Sequence, residues 1–394
     1  MVLWEKYKGS YLSYLLMYNF YYLAFALFSV LISIYLLDKG FLPSEVSLVV
    51  SSSFFTSMLG QPAIGVLSDN FGNKIVNTIL FTLAGIGGIY FMFANSLVEL
   101  LIGYSFVMTL INGTNPSMEK IATLSKFKYG SIRIWGTLGF ASGSQLSGLI
   151  YDKIAPEMVY VAFVLSIFLS IIGVLGTEED EATLNRIRNS KNKTRSNTSA
   201  LSLFKNKPLI IYILIAGIFY GATSIGNIYI APMLENEGIR VSLVSTILSV
   251  AVLIEMPIVF FSHKFMDKIA NKKLLFIAFI AVVIQTFIYW LNLWTPSIVL
   301  ATLLFKHPPG MLFVMINLKV VNTLVDEDYQ ITALALIQTF RNLSSIIFQN
   351  LSGQILNFTT YQNLYLLVFI ILLLGLIIVS FYQIPSGNDK KTFS

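Results

Sequence analysis

The chain has 394 residues, of which 56% are hydrophobic and only 12% charged. Soluble domains carry roughly a quarter charged residues, so a soluble globular protein is excluded and long apolar stretches mean membrane spans. The basic residues behind the net charge of +6 flank those stretches instead of forming a patch, which excludes a nucleic-acid partner; zero cysteines and two histidines, His263 and His307, exclude disulfides and a histidine metal cage.

Trp4, Lys6 and Lys8 lead straight into an apolar run from Tyr11 with no small-residue cleavage site, so this run is expected to stay as a span. Runs of about 20 residues cross a bilayer. They fall at 11–37, 45–67, 75–94, 97–117, 129–150 and 158–176, then at 208–231, 241–262, 273–293, 296–320, 330–354 and 361–383. The expected fold is therefore all-α and integral to the membrane, with twelve spans in two groups of six: residues 1–176 and 208–394. The segment 177–207 between them opens acidic at Glu178 and Glu179 and turns basic through Arg186, Arg188 and Lys191. Ser, Asn and Thr fill its gaps, so it reads as a tether, with room for a short surface helix within 178–190. With both termini placed inside, the outer loops hold only Lys39, Lys153 and Arg240, while the inner loops hold the many other basic residues. That imbalance orients the chain with both ends cytoplasmic.

Between the second and third runs stands Gly65-Val66-Leu67-Ser68-Asp69-Asn70-Phe71-Gly72-Asn73-Lys74, expected to form a tight polar turn at a membrane surface. Phe265-Met266-Asp267-Lys268-Ile269-Ala270-Asn271-Lys272-Lys273 repeats it, with Asp267 answering Asp69 and Lys272 answering Lys74. One turn written twice, half a chain apart, points to a duplicated architecture.

Charged groups inside spans are costly and hence candidate site residues. They are Glu119, Arg133, Glu255, Lys306 with His307, and Arg341. Gly136, Gly139 and Gly143 recur at helical spacing after Arg133, giving that helix a face for close packing, and Phe140 lies two turns from Arg133 on its side of the helix. A guanidinium beside an aromatic ring suits a polar, ring-shaped solute. Glu255 is the best-placed proton carrier, and His307 is a second titratable group. Lys306-His307-Pro308-Pro309-Gly310 interrupts the tenth span, and such breaks line cavities. Asn19, Gln61, Gln145, Asn227, Gln285, Asn317 and Gln338 serve equally well as ligands for hydroxyl groups or as interhelical glue, and the abundant aromatics read as an interface belt.

The segment Gly65-x-Leu67-Ser68-Asp69-x-x-Gly72-x-Lys74 resembles the loop between the second and third helices of major facilitator superfamily transporters, with Asn70 where the family carries a basic residue and Ala270 replacing the glycine of the second copy. The resemblance implies two six-helix bundles working by alternating access, with Asp69, Gly72, Lys74 and Asp267 in a gate. Asn115-Pro116-Ser117-Met118-Glu119 through Arg133-Ile134-Trp135-Gly136 is similar to lactose permease and its oligosaccharide, nucleoside and phenylpropionate proton-symporter relatives. It implies that Glu119 and Arg133 bind substrate, with Phe140 at the place of a stacking tryptophan and Asn227 at that of an aspartate on the seventh helix. By the same resemblance Lys306, with His307, stands near a proton-coupling histidine, and Arg341 replaces a lysine whose aspartate partner is gone, so Glu255 is nominated as its counter-ion.

The function expected is proton-coupled import of a small polar solute, a sugar or nucleoside, by a monomer embedded in the lipid of the cell membrane. The proton is the coupling ion and no other cofactor is expected. The alternative is a proton-antiport exporter, against which stands the lack of proline in Gly136-Thr137-Leu138-Gly139-Phe140-Ala141-Ser142-Gly143. An enzyme is not expected, because no nucleophile–base pair, phosphate loop or metal spacing is present.

Overall fold

The computed structural model describes residues 2–178, 203, 205–326 and 329–387, and every regular element among them is a helix. The proposed surface helix within 178–190, and most of the tether, lie outside the described residues. In chain order the helices are α1 (Val2–Tyr7), α2 (Tyr11–Ser29), α3 (Ile32–Asp38), α4 (Pro43–Phe71), α5 (Asn73–Phe93), α6 (Leu97–Thr123), α7 (Tyr129–Lys153) and α8 (Met158–Gly176). There follow α9 (Lys207–Asn236), α10 (Val241–Ile254), α11 (Met256–Phe260), α12 (Ser262–Phe265), α13 (Asn271–Leu291), α14 (Thr295–Phe305), α15 (Pro308–Leu324), α16 (Gln330–Leu356) and α17 (Tyr361–Phe381).

Among the described residues, nine helical stretches are long and apolar enough to cross a membrane. The three other long helices, α4, α7 and α16, have 29, 25 and 27 residues. Each exceeds the span requirement of about 20 residues but carries more polar side chains. Local chemistry sets the ends. Ser96 caps α6 by accepting from the Glu99 N–H while the Glu99 carboxylate accepts from the Ser96 N–H, a reciprocal cap that satisfies two orphan donors. Asn206 caps α9 ahead of Pro208, whose missing N–H costs nothing in the first turn. Pairs of helices expected as one span are broken where the backbone turns aside: α10 from α11 at Glu255, and α14 from α15 at Lys306 and His307.

The expected ten-residue turn at 65–74 is much tighter. The second helix continues to Phe71 and the third starts at Asn73, leaving Gly72 alone between them at φ 90°. A side chain is strained at that φ, so glycine makes the one-residue reversal while Ser68 and Asp69 stay helical. A helical frame for these residues saves backbone hydrogen bonds that a long turn would leave open.

The described helices belong to two compact units. The first comprises Met1–Phe41, Leu48–Ser196 and Arg240–Ser249. In it α2 packs along α7 and α8, and α5 along α6 and α8. Gly139 and Gly143 of α7 lie against α2 so closely that an added Cβ would stand 2.2 Å from the Asn19 carbonyl oxygen and 2.5 Å from that of Leu23. Asn19 donates to the Trp135 carbonyl in the same seam. Ser249 donates to the Ala141 carbonyl, and the Ser242 N–H to Asp152.

The second unit comprises Leu42–Ser47, Asn197–Ile239 and Val250–Ser394. Here α9 packs along α16 and α17, and α13 along α15 and α17, the same plan as in the first unit. Phe219, Phe279 and Phe313 form an aromatic centre, with Phe219 and Phe313 stacked at 4.1 Å. Tyr229 shares a 2.5 Å hydrogen bond with Ser47 and donates to the Pro43 carbonyl.

Candidate functional site

In the first unit the α6–α7 connection brings together an acid and a base that lie fourteen residues apart in the chain. Glu119 ends α6 on a face turned toward α7, and Arg133 stands one turn into α7; their side chains form an ion pair at 3.7 Å, with 31% and 37% of each side chain exposed. Tyr129 donates to the other Glu119 carboxylate oxygen at 2.6 Å, and Tyr22 of α2 donates to the paired one at 3.4 Å. The Arg133 guanidinium lies 5.1 Å from the centre of the Tyr22 ring and 6.0 Å from that of Tyr18. Asn115 donates to the Tyr22 hydroxyl. Gly136 keeps the space open: a Cβ there would meet both the Tyr22 ring and Arg133 within 2.9 Å.

Phe140, expected to supply the ring beside Arg133, instead rests edge-on against Phe25 at 5.8 Å. The rings over the guanidinium are the tyrosines of α2. They were legible as Tyr11, Tyr14, Tyr18 and Tyr22, one face of a helix at three- and four-residue steps, yet an interface-belt reading absorbed them.

In the second unit the two helix breaks face each other. Glu255, at the α10–α11 break, lies 3.9 Å from Nδ1 of His307 at the α14–α15 break. Lys306 donates to the Asn227 side chain at 3.5 Å. Both line a cavity of about 20 Å³ together with Gln285, Tyr289 and Tyr365, room for one water-sized group. Among the described residues the buried Tyr365 hydroxyl has no hydrogen-bond partner.

Arg341 does not pair with Glu255. Its guanidinium lies 4.5 Å from the centre of the Tyr220 ring, and among the described residues no carboxylate is within ion-pairing distance of it. The ring stands where an acid was expected, so the cation is held by π-electron density and not by charge.

The residues expected at a gate fall into matched sets, one per unit. Asp69 pairs with Lys120 at 3.5 Å on an exposed edge. Lys74 donates to the Thr177 carbonyl at the end of α8. In the second unit Lys319 donates at 2.7 Å to the carbonyls of Met266 and Ile269, enclosing Asp267, which is 9% exposed and acts electrostatically on it. Lys272 donates at 2.6 Å to the Ser380 carbonyl near the end of α17. Lys120 and Lys319 were not singled out beside the two aspartates, because nothing in the chain's order ties them together.

The model of the Major Facilitator Superfamily matches residues 14–347. The chain belongs to the Major Facilitator Superfamily. It is 24% identical over 375 residues to the uncharacterized transporter YwbF of Bacillus subtilis (strain 168), covering 92% of this chain and 90% of that protein. The maltose permease of Geobacillus stearothermophilus is 27% identical over 158 residues, 38% of this chain and 40% of the permease. Among solved structures, the nucleoside transporter NupG is similar with a TM-score of 0.79 at 16% identity, over 94% of this chain and 99% of that one. A D-xylose-proton symporter is similar with a TM-score of 0.74 at 13% identity, over 97% and 98%. These structures share the fold. The superfamily member described here is thus an integral membrane transporter for small molecules, and not an enzyme.

Proposed function

We propose that the chain imports a small polar solute, a sugar or nucleoside, together with a proton by alternating access. The observation that carries this reading is the Glu119–Arg133 pair, kept partly exposed and ringed by the hydroxyls of Tyr22 and Tyr129. An acid and a base held side by side offer acceptors and donors in one place, which matches the alternating needs of a hydroxylated ring. Tyr18 and Tyr22 add ring faces for stacking.

The coupling step falls to the second unit. Protonation of Glu255 removes the charge that faces His307, so the loaded and unloaded carriers differ in the cost of reorienting within the membrane. Asp69, Gly72, Lys74 and Asp267 serve the gate, and Lys306 with Asn227 lines the coupling cavity. The carrier works as a monomer in the cell membrane with both termini cytoplasmic. The similarity in fold to a nucleoside transporter and to a xylose-proton symporter supports the solute class.

The test is proton movement in proteoliposomes holding the full chain, with sugars and nucleosides added outside one at a time. One solute is expected to alkalinise the outer medium, and Glu255→Gln to abolish the response. Proton efflux driven by lipophilic cations, with no response to any polar solute, would overturn import in favour of export.

A further inference from the structure

Arg341 is a cation within a long helix, and among the described residues no carboxylate neutralises it. It is partly buried on α16, and the central carbon of its guanidinium lies 4.5 Å from the centre of the Tyr220 ring. A ring contact uses up none of the five N–H donors that the guanidinium holds in a fixed fork. Among the described residues none of those donors is bonded to a protein acceptor, and no carboxylate pairs with the charge. Arg133, by contrast, already has Glu119.

The platform beneath Arg341 is rigid. Tyr212 donates at 2.5 Å to the Asn317 oxygen, and the Asn317 amide donates at 2.7 Å to the Tyr220 hydroxyl. Both hydrogen bonds are buried, so the Tyr220 ring is fixed before any ligand arrives. A pre-positioned guanidinium with free in-plane donors, in a setting where an uncompensated charge is costly, is built for a planar monoanion.

We propose that the transported solute carries a carboxylate and that Arg341 holds it by two parallel hydrogen bonds, an inference that rests on the transport reading above. A carboxylate fits better than a phosphate dianion, which would call for two cations at one point. Lys306, a further cation of this unit, donates to Asn227, which is seven residues from Tyr220 on α9 and so about 10 Å further along that helix. The solute is then a hydroxylated or heterocyclic acid, not a neutral sugar.

Matched pairs that differ only in the carboxylate provide the test: D-glucuronate against D-glucose, and orotate against uracil, with a sugar phosphate as a further arm. Binding and proton-coupled uptake are measured with the full chain in proteoliposomes. The acid of at least one pair is expected to bind roughly tenfold or more tightly than its neutral mate, the range of a charge-assisted hydrogen bond. Arg341→Gln is expected to erase the preference and Arg341→Lys to retain part of it. Uptake of a neutral member with the acids inert, preference for the sugar phosphate, or an undiminished acid preference in Arg341→Gln would overturn the proposal while leaving the carrier reading in place. Inertness of every solute, neutral or charged, would sink both. The acid-to-neutral ratio of the unaltered protein decides the matter even if Arg341→Gln fails to fold.

Discussion

Arg133 is fixed by shape as much as by charge. Its guanidinium lies near the rings of Tyr22 and Tyr18 while Glu119 forms an ion pair with Nε at 3.7 Å, so three groups define one orientation. Lysine keeps the charge but lacks the planar fork and stacks poorly. Arg133→Lys is therefore expected to lower solute uptake by tenfold or more, about the loss of one charge-assisted hydrogen bond. The pair is about a third exposed, so its removal is expected to cost stability less than about 1 kcal/mol. Uptake assays beside thermal unfolding in detergent separate the two effects; a large fall in unfolding temperature with uptake per folded molecule unchanged would make the pair structural. The sequence exposed Glu119 and Arg133 because charges stand out in apolar runs. It hid their tyrosine partners because an aromatic ring in a span has several ordinary uses, and only the fold shows which helix lies alongside.

Some helix boundaries were legible to within a residue or two, since a membrane imposes length and polarity together, while others run four to six residues past the apolar run, as α6 does in reaching Thr123. The expected run 158–176 matches Met158–Gly176, and 361–383 matches Tyr361–Phe381. The turn at 65–74 was misread for a physical reason: Ser68, Asp69 and Asn70 look like turn formers, but a helix end at a membrane surface tolerates them, and only Gly72 needs the left-handed backbone. The glycine stripe of α7 was legible as a packing face, though not that α2 is its partner. Gly139→Ala tests that face. Its Cβ would meet the backbone of Asn19, which has no rotamer to escape into. A loss of about 1–3 kcal/mol is expected from overpacking, seen as a lower unfolding temperature. Gly130→Ala, on the same helix with open space around its Cβ, is expected to be neutral or slightly stabilising. Equal effects from both would show that α7 does not rely on close approach to α2.

The molecule repeats a plan rather than a sequence. The pairing of α2 with α7 and α8 returns as α9 with α16 and α17, and each unit ties the start of one helix to the end of another through a lysine. What the order of residues disclosed was the aspartate and lysine of each turn; what it withheld was the carbonyl each lysine reaches, since Thr177 and Ser380 lie more than a hundred residues from their partners. The groups proposed to bind solute were withheld for the same reason, being drawn from α2, α6 and α7 with no contiguous motif. The two lysine ties share no partner, which makes their energies separable. A cation on the last carbonyls of a helix satisfies orphan acceptors and opposes the negative end of the dipole, about 0.3–1 kcal/mol at an accessible position. Lys272→Met, whose hydrogen bond is exposed, is expected at the low end of that range, and Lys74→Met, whose bond is partly buried, at the high end. Residues without shared partners contribute independently, so the double variant should lose the sum of the two. Thermal midpoints of the four proteins in one detergent check this. A double variant no weaker than Lys74→Met alone would mean that the second tie carries no stability, and that the duplicated turn is an inherited form without a duplicated role.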